Sequence, residues 1–436
     1  MSSLFYFDSL AKIMTALVIF IGVIVALFSR HYMKGDLHYK RFFFLLFTLI
    51  ISVIGMISAD NIFVFLTTWG LSNIFLVWLM THKAEWSAAR ASGALARKNF
   101  AIGFAFLTLA FATLYFLTGE TSIKSITSSD LNNTAMLAAL FLILLAAMTQ
   151  SAIWPFNSWL LSSLNSPTPV SAIMHAGLVN GGGILLTRFA PLYLNFPKLL
   201  TLIFVVGVIS ALLATFWKLI QSNIKTMLAC STVSQMGFML AQCGLGLFSA
   251  AIAHLMWHGI FKAYLFLTSP SAAQEKRLDL HYPPKLSSLL LAMVCGLIGG
   301  ISFAIVSDRS LTTVSTAEVL IFIAFIAGTQ LALNMLRHDL VKNIAPAIII
   351  TALSGALYGA SIRLVEWSLL DLNLSQPQPL NSLHVVAMIL FFALWLWHLF
   401  ADKKTKSPLV LKSYVKALNA SQPRPNTVTS NRNQYN

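Results

Sequence analysis

Apolar residues in this chain come in long unbroken runs, and polar residues are confined to the short connections between them. Runs of about 18 to 23 residues recur from Ala11 to Phe400, the length a helix needs to cross hydrocarbon. The pattern predicts an all-α polytopic membrane protein with 13 spans, at about 10–29, 41–58, 61–81, 99–118, 134–152, 169–189, 197–219, 225–247, 250–268, 286–306, 317–336, 343–364 and 382–400. Amphipathic stripes of the kind a soluble domain would bury against a core are missing. The first run has no small-residue cleavage pattern and leads directly into further spans, so it is read as retained.

The fifth span breaks this regularity. Its apolar pattern continues past Trp154-Pro155 to Leu161 before stopping at Asn165-Ser166-Pro167. Proline removes a backbone donor and leaves a carbonyl unpaired, which hydrocarbon tolerates only beside protein or water. A discontinuous helix near Trp154-Pro155 is expected. Such breaks occur where transporters handle ions, and also as packed structural kinks.

Composition agrees with a membrane protein: 57% of residues are hydrophobic and 10% charged. The net charge of +15 could suggest nucleic acid, but the basic residues lie in the connections and the C-terminal tail, so no nucleic-acid partner is expected. With the N-terminus outside, 22 of the 29 Lys and Arg, among them Arg90 and Arg97, fall on the cytoplasmic side. That asymmetry matches the positive-inside rule and places the C-terminus in the cytoplasm. The expected organisation is a transmembrane core over 1–268, further spans over 269–400, and a loose basic tail over 401–436. Cys230, Cys243 and Cys295 have no metal-type spacing and read as packing residues.

Ionisable residues inside the spans carry the candidate chemistry. The ninth span reads HLMWHGIFK and spaces His254, His258 and Lys262 four apart. Each such step climbs about 6 Å and turns about 40°, so the three form one stripe. They could pass protons if water fills the gaps, or hydrogen-bond across helices with Lys262 snorkelling; three such groups in one mid-span favour a relay. Lys225 opens the eighth span, where an anchoring role is equally consistent. His175 stands in the sixth span ahead of Asn180 and Gly181-Gly182-Gly183, which permit close helix contact or local unwinding. Gln150, with Thr149 and Ser151, is a polar cluster just before the break. No phosphate loop, zinc-binding HExxH or Cys-x-x-Cys competes, and no enzymatic active site is expected within the chain.

Taken together, these motifs resemble the proton-translocating, antiporter-like membrane subunits of respiratory complex I and of Mrp-type cation/proton antiporters. SPTPVSAIMHA is similar to the family's Gly-Pro-Thr-Pro-Val-Ser-Ala-Leu-Ile-His-Ala, NIKTMLACSTVSQMGFM to its Asp-Ile-Lys segment, and HLMWHGIFKAYLFL to its His-Leu-x-x-His-x-x-Phe-Lys segment. SRHYMKGDLHYKRFF and ADNIFVFLTTW resemble its Tyr-Met-x-Gly-Asp connection and Ala-Asp-Asn signature, so the match covers roughly 7–268. The resemblance implies that Lys225, His254, His258 and Lys262 line a hydrated half-channel, with His175 as a relay near the helix break and Gln150 as a neutral polar station. Two departures matter. Gly70 follows Trp69 where the family has Glu, and Gln150 stands where it has the lysine of the broken helix. Losing both charges together leaves neither unpaired.

Shortened members lacking that pair, with TTWGLSN and ALARKNF in these positions, resemble the membrane subunits of bacterial DAB inorganic-carbon accumulation systems. This implies a multi-pass subunit of the inner membrane that conducts H⁺ or Na⁺ to drive a DabA-like zinc-binding soluble partner, itself similar to a β-carbonic anhydrase. The zinc would be the partner's, with no cofactor in this chain and membrane lipid as its other company. A proton-translocating or Na⁺/H⁺ antiporter subunit and a non-conducting scaffold stay open as alternatives.

Overall fold

The computed structural model describes residues 4–129, 131–269, 283–310, 314–337, 340–400 and 408–428. Among them the regular structure is helical, with only isolated bridges such as Phe5 to Ala59 outside the helices. Among the described residues, eleven helical stretches are long and apolar enough to cross a bilayer, one of them, Thr168–Arg188, interrupted along its length. The other two expected spans are Thr134–Gln150, which is apolar but short, and Ile224–Gly244, which carries Lys225, Thr232 and Ser234 in place of apolar residues. The chain falls into two compact units, 1–244 with 254–273 and 413–436, and 245–253 with 274–412.

The first unit begins with α1 (Ser9–Tyr32), α2 (Tyr39–Ser58), α3 (Ile62–Met80) and α4 (Ser87–Thr118). Asp8 caps α1 through the Ala11 N–H at 2.8 Å and also forms a buried ion pair with Arg188. The Ala-Asp-Asn signature has a structural role here. Asn61 caps α3, while Asp60 accepts from the Ser122 hydroxyl at 2.7 Å and the Lys124 N–H at 2.9 Å, tying α3 to α5 (Ile123–Thr127). α4 starts 12 residues ahead of the span expected from 99. Its charged first turns extend the helix without belonging to the apolar run, and 32 residues rise about 48 Å, well beyond the ~30 Å of hydrocarbon.

α6 (Thr134–Gln150) stops at the expected break. Ala152 adopts φ 53°, and the chain passes through Trp154-Pro155 to the single turn α7 (Ser158–Leu161). The sixth span is broken as well. α8 (Thr168–Ala176) ends at Gly177, a 3₁₀ turn covers Leu178–Asn180, and α9 (Gly181–Arg188) resumes. Two glycines let the broken helices approach. A Cβ on Gly182 would lie 2.3 Å from Ser151 Oγ and 2.4 Å from the Ala147 carbonyl, and one on Gly259 would lie 2.8 Å from the Ala176 carbonyl. After α10 (Ala190–Leu194), α11 (Pro197–Ile220), α12 (Ile224–Gly244) and the part of α13 (Phe248–Thr268) from His254 onward close the unit. Cys230 and Cys243 are buried free thiols within it.

The second unit holds α14 (Leu286–Val306), α15 (Ala317–Leu336), α16 (Leu340–Ser368) and α17 (Ser382–Phe400). Its core gathers Leu289, Ala292, Cys295, Leu333 and Leu336. Close approach of small residues, such as Gly355 against the Gly299 carbonyl, supplies the packing that lipid-solvated helices cannot obtain from the hydrophobic effect.

The expected loose tail is corrected for its described part. α18 (Pro408–Ser421) is followed by a 3₁₀ turn at Pro425–Thr427. The Arg424 N–H donates to Ser162 Oγ at 3.0 Å, and Asn165 Nδ2 donates to the Thr427 carbonyl. Ser421 and Thr427 are buried. These contacts pair backbone groups of the tail with the side chains of Ser162 and Asn165 in the connection after α7. Residues 401–407 and 429–436 of that expected tail lie outside the described residues.

Candidate functional site

One face of α12 organises the ionisable residues. Lys225, Leu228 and Thr232 recur at helical spacing, and α13 runs antiparallel beside them, bringing Lys262 to Leu228. Lys262 Nζ donates to the Leu228 carbonyl at 3.0 Å, although its side chain is 1% exposed. The Thr232 hydroxyl donates to the same carbonyl at 3.0 Å. Having given its hydrogen away, that hydroxyl can only accept from His175 Nδ1, 3.0 Å distant. The contact therefore assigns His175 its Nδ1–H tautomer when neutral and leaves Nε2 as the proton acceptor. Phe266 stacks on the imidazole at 4.3 Å between centroids and holds the ring in place.

His254 and His258 continue the α13 stripe with rings 6.1 Å apart and nearly parallel. The Gln235 backbone hydrogen-bonds His254. His254 Nε2 and both nitrogens of His258 are buried with no hydrogen-bond partner among the described residues. Buried polar groups without protein partners are ordinarily satisfied by water. The fold thus brings His175, Lys262, His258 and His254 together from α8 and α13.

Lys225 stands at the other end of the α12 stripe. Its Nζ donates to the Leu164 and Ser166 carbonyls at 3.3 and 3.4 Å. It opens onto a polar cavity of about 380 Å³ shared with Asp36, His82 and Lys83. Asp36 accepts from the His38 N–H at 2.8 Å and contacts His82 Nε2 at 3.0 Å. Burial pushes the Asp36 carboxyl up, but the His38 N–H, the His82 ring and the charges of His82 and Lys83 outweigh it and hold it below its ordinary value.

Gln150 belongs to a separate cluster. Its Nε2 donates to Asn73 Oδ1 at 3.1 Å and toward the Leu178 carbonyl at 3.5 Å. Asn73 lies one helical turn from Gly70, so the two positions where the charged pair is missing are linked by a neutral amide contact. Ser151 Oγ donates to the Val179 carbonyl at 2.6 Å, while Asn99 Nδ2 and Trp159 Nε1 both donate to the Thr149 carbonyl. The open Thr149 carbonyl at the break is met from α4 and α7, while Ser151 in turn meets an open carbonyl of the 3₁₀ turn.

Sequence reasoning missed Thr232 and Asn73. Thr232 lies seven residues after Lys225, on the same face of its helix, which is the signal that could have found it. Asn73 is a lone amide in an apolar span, and nothing local distinguishes it from a packing residue.

Residues 59–293 match the family model described as "NADH:quinone oxidoreductase/Mrp antiporter, TM", and residues 1–43 match "NADH-Ubiquinone oxidoreductase (complex I), chain 5 N-terminus". The chain belongs to this antiporter-like subunit family. Within it, the chain is 34% identical over 397 residues to the "Probable inorganic carbon transporter subunit DabB" of Bacillus anthracis, covering 88% of this chain and 76% of the relative. It is 38% identical over 280 residues to DabB1 of Halothiobacillus neapolitanus, covering 62% of this chain and half of the relative. NADH-quinone oxidoreductase subunit L of Escherichia coli is 34% identical over 313 residues, 67% of this chain and 49% of the relative. The solved Mrp complex from Dietzia aligns with a TM-score of 0.59 at 22% identity, over 96% of this chain and 45% of that one, which establishes the fold. The protein is a multi-pass membrane subunit of the DabB and complex I kind.

Proposed function

We propose that this chain is the ion-conducting membrane subunit of an energy-coupled inorganic-carbon pump in the bacterial inner membrane. Lys225, His175, Lys262, His258 and His254 form the path, with Gln150 as a neutral station. The observation that carries this reading is the pair of 3.0 Å contacts converging on the Leu228 carbonyl from Lys262 and from Thr232, with His175 donating to Thr232. The Leu228 carbonyl accepts from both sides and passes no proton itself, so these contacts hold Lys262 and His175 side by side and a proton exchanged between them would run through water. The DabB relatives support the assignment to carbon transport. Flow of H⁺ or Na⁺ down its gradient would bias a conformational step in a DabA-like zinc-binding soluble partner, making CO₂ hydration effectively one-way.

The test is growth of a carbonic-anhydrase-deficient bacterium in ambient air, with this gene and its partner gene supplied together. Uncoupler-sensitive rescue is expected, and Lys262→Met or His254→Ala should abolish it at unchanged membrane levels of the protein. Rescue that survives both substitutions would leave the chain a non-conducting scaffold. Absence of rescue, with Na⁺/H⁺ exchange in vesicles, would favour the antiporter-subunit reading. Co-purification with a large zinc-containing soluble protein checks the partner independently.

A further inference from the structure

α3 and α4 leave a groove between them that the proton path does not use. It encloses about 760 Å³ and runs from Arg90 and Arg97 at one end, past Asn73 and Trp78, to Gly70 and Phe104 at the other. The lining positions recur at helical spacing on both helices, so the groove is built from facing stripes. Gly70 opens its far end, since a Cβ there would lie 3.3 Å from the Phe104 ring.

The groove has a polarity. Counting back from Thr118 at ~1.5 Å per residue, Arg97 sits about 32 Å along α4, one hydrocarbon thickness from the far end of the helix. Arg90 and Arg97 are therefore at headgroup level, with Phe104 in the hydrocarbon. Both arginines are exposed, and Arg97 makes no hydrogen bond to the described residues. Arg90 spends part of its guanidinium on the Ala84 and Glu85 carbonyls, at 2.6 and 3.0 Å, which fixes it at the mouth.

A second, independent feature lies about one turn deeper. Asn73 lines the groove and is 5% exposed, and its Nδ2 has no hydrogen-bond partner among the described residues while its Oδ1 is held by Gln150. A buried amide donor of this kind calls for an acceptor. Cationic donors at the interface, an amide donor one turn below and an apolar slot beyond reproduce, in order, the phosphate, ester carbonyl and acyl chain of a phospholipid.

We infer that the α3–α4 groove is a binding site for one anionic phospholipid, its phosphate on Arg90 and Arg97, an ester carbonyl on Asn73 Nδ2 and an acyl chain along Gly70 and Phe104. Arginine favours phosphate because its planar fork donates two parallel bonds. Lipid in this groove orients Asn73, and through it Gln150 at the helix break.

Native mass spectrometry of the full chain, exchanged into neutral detergent with phosphatidylglycerol or phosphatidylcholine, tests this. One retained phosphatidylglycerol is expected, bound at least about tenfold more tightly than phosphatidylcholine, and undiminished by excess inorganic phosphate. The double variant R90Q/R97Q should lose this preference. Ala101→Trp, which fills the slot without touching a charge, should lose the lipid altogether. Melting temperatures of both variants without added lipid, equal to the parent's, show that they are folded. Equal retention of both lipids by the parent, or unaltered phosphatidylglycerol retention in both folded variants, overturns the proposal. So does a polypeptide cross-linked from position 94 in native membranes in place of lipid, which would make the groove a subunit interface.

Discussion

At the scale of residues, Thr232 and Asn73 show how much work uncharged groups do in this membrane site. Thr232→Val removes the hydroxyl between His175 and the Leu228 carbonyl while keeping the shape. Carbon-dependent growth should fall about tenfold, the scale of one lost buried hydrogen bond, whereas Thr232→Ser should retain it because its hydroxyl still fixes the His175 ring. The amide contact at the break makes a second prediction. Gln150→Lys alone places an unpaired charge in mid-membrane, at a cost of about 2.5–3.5 kcal/mol, and should lower the melting temperature in detergent. Adding Asn73→Asp should recover part of that loss, because the contact at 3.1 Å then becomes an ion pair. Asp36 is the group with a defined pH signature. Its carboxyl is held below the ordinary range, so its stabilising contribution is fully present above about pH 4 and fades as pH falls through the lowered value. The difference in melting temperature between the parent and Asp36→Asn should shrink as pH falls below about 4.

At the scale of elements, two broken helices meet, and the end of the first satisfies carbonyls that open in the second. Ser151 at the end of α6 donates to Val179 in the 3₁₀ turn between α8 and α9, and Gly182 lets the backbones come this close. Gly182→Ala would force a Cβ into the Ala147 carbonyl at 2.4 Å. Backbone on both sides leaves little room to yield, so a clear loss of folded protein is expected in size-exclusion profiles after detergent extraction. The break near Trp154-Pro155 was legible because proline and polar residues interrupt an apolar run. The second break was only half legible: the glycine triplet permits unwinding, but the helix opens at Gly177–Asn180, just ahead of it. What selects that place is Gly259 packing on the Ala176 carbonyl, a contact between residues 83 positions apart in sequence.

At the scale of the molecule, the C-terminal segment returns to the polar connection that supplies carbonyls to Lys225. Asn165 donates to Thr427, and its neighbours Leu164 and Ser166 accept from Lys225. Removing residues 422–436 should raise hydrogen exchange selectively over 162–166, read by mass spectrometry, with the spans themselves unaffected. The sequence by itself determined the class of this protein. Hydrocarbon admits only backbone that is internally bonded, so apolar run length, proline position and the placement of buried His and Lys already specify a helical membrane subunit with a candidate ion path. Only the tertiary structure decided which groups touch. Thr232, Asn73 and the Leu228 carbonyl acquire their roles from neighbours elsewhere in the chain, and residues 424 and 427 of the polar tail pair with the Ser162 and Asn165 side chains. Those matches depend on ångström-scale approach between helices, which no periodicity along a single chain encodes.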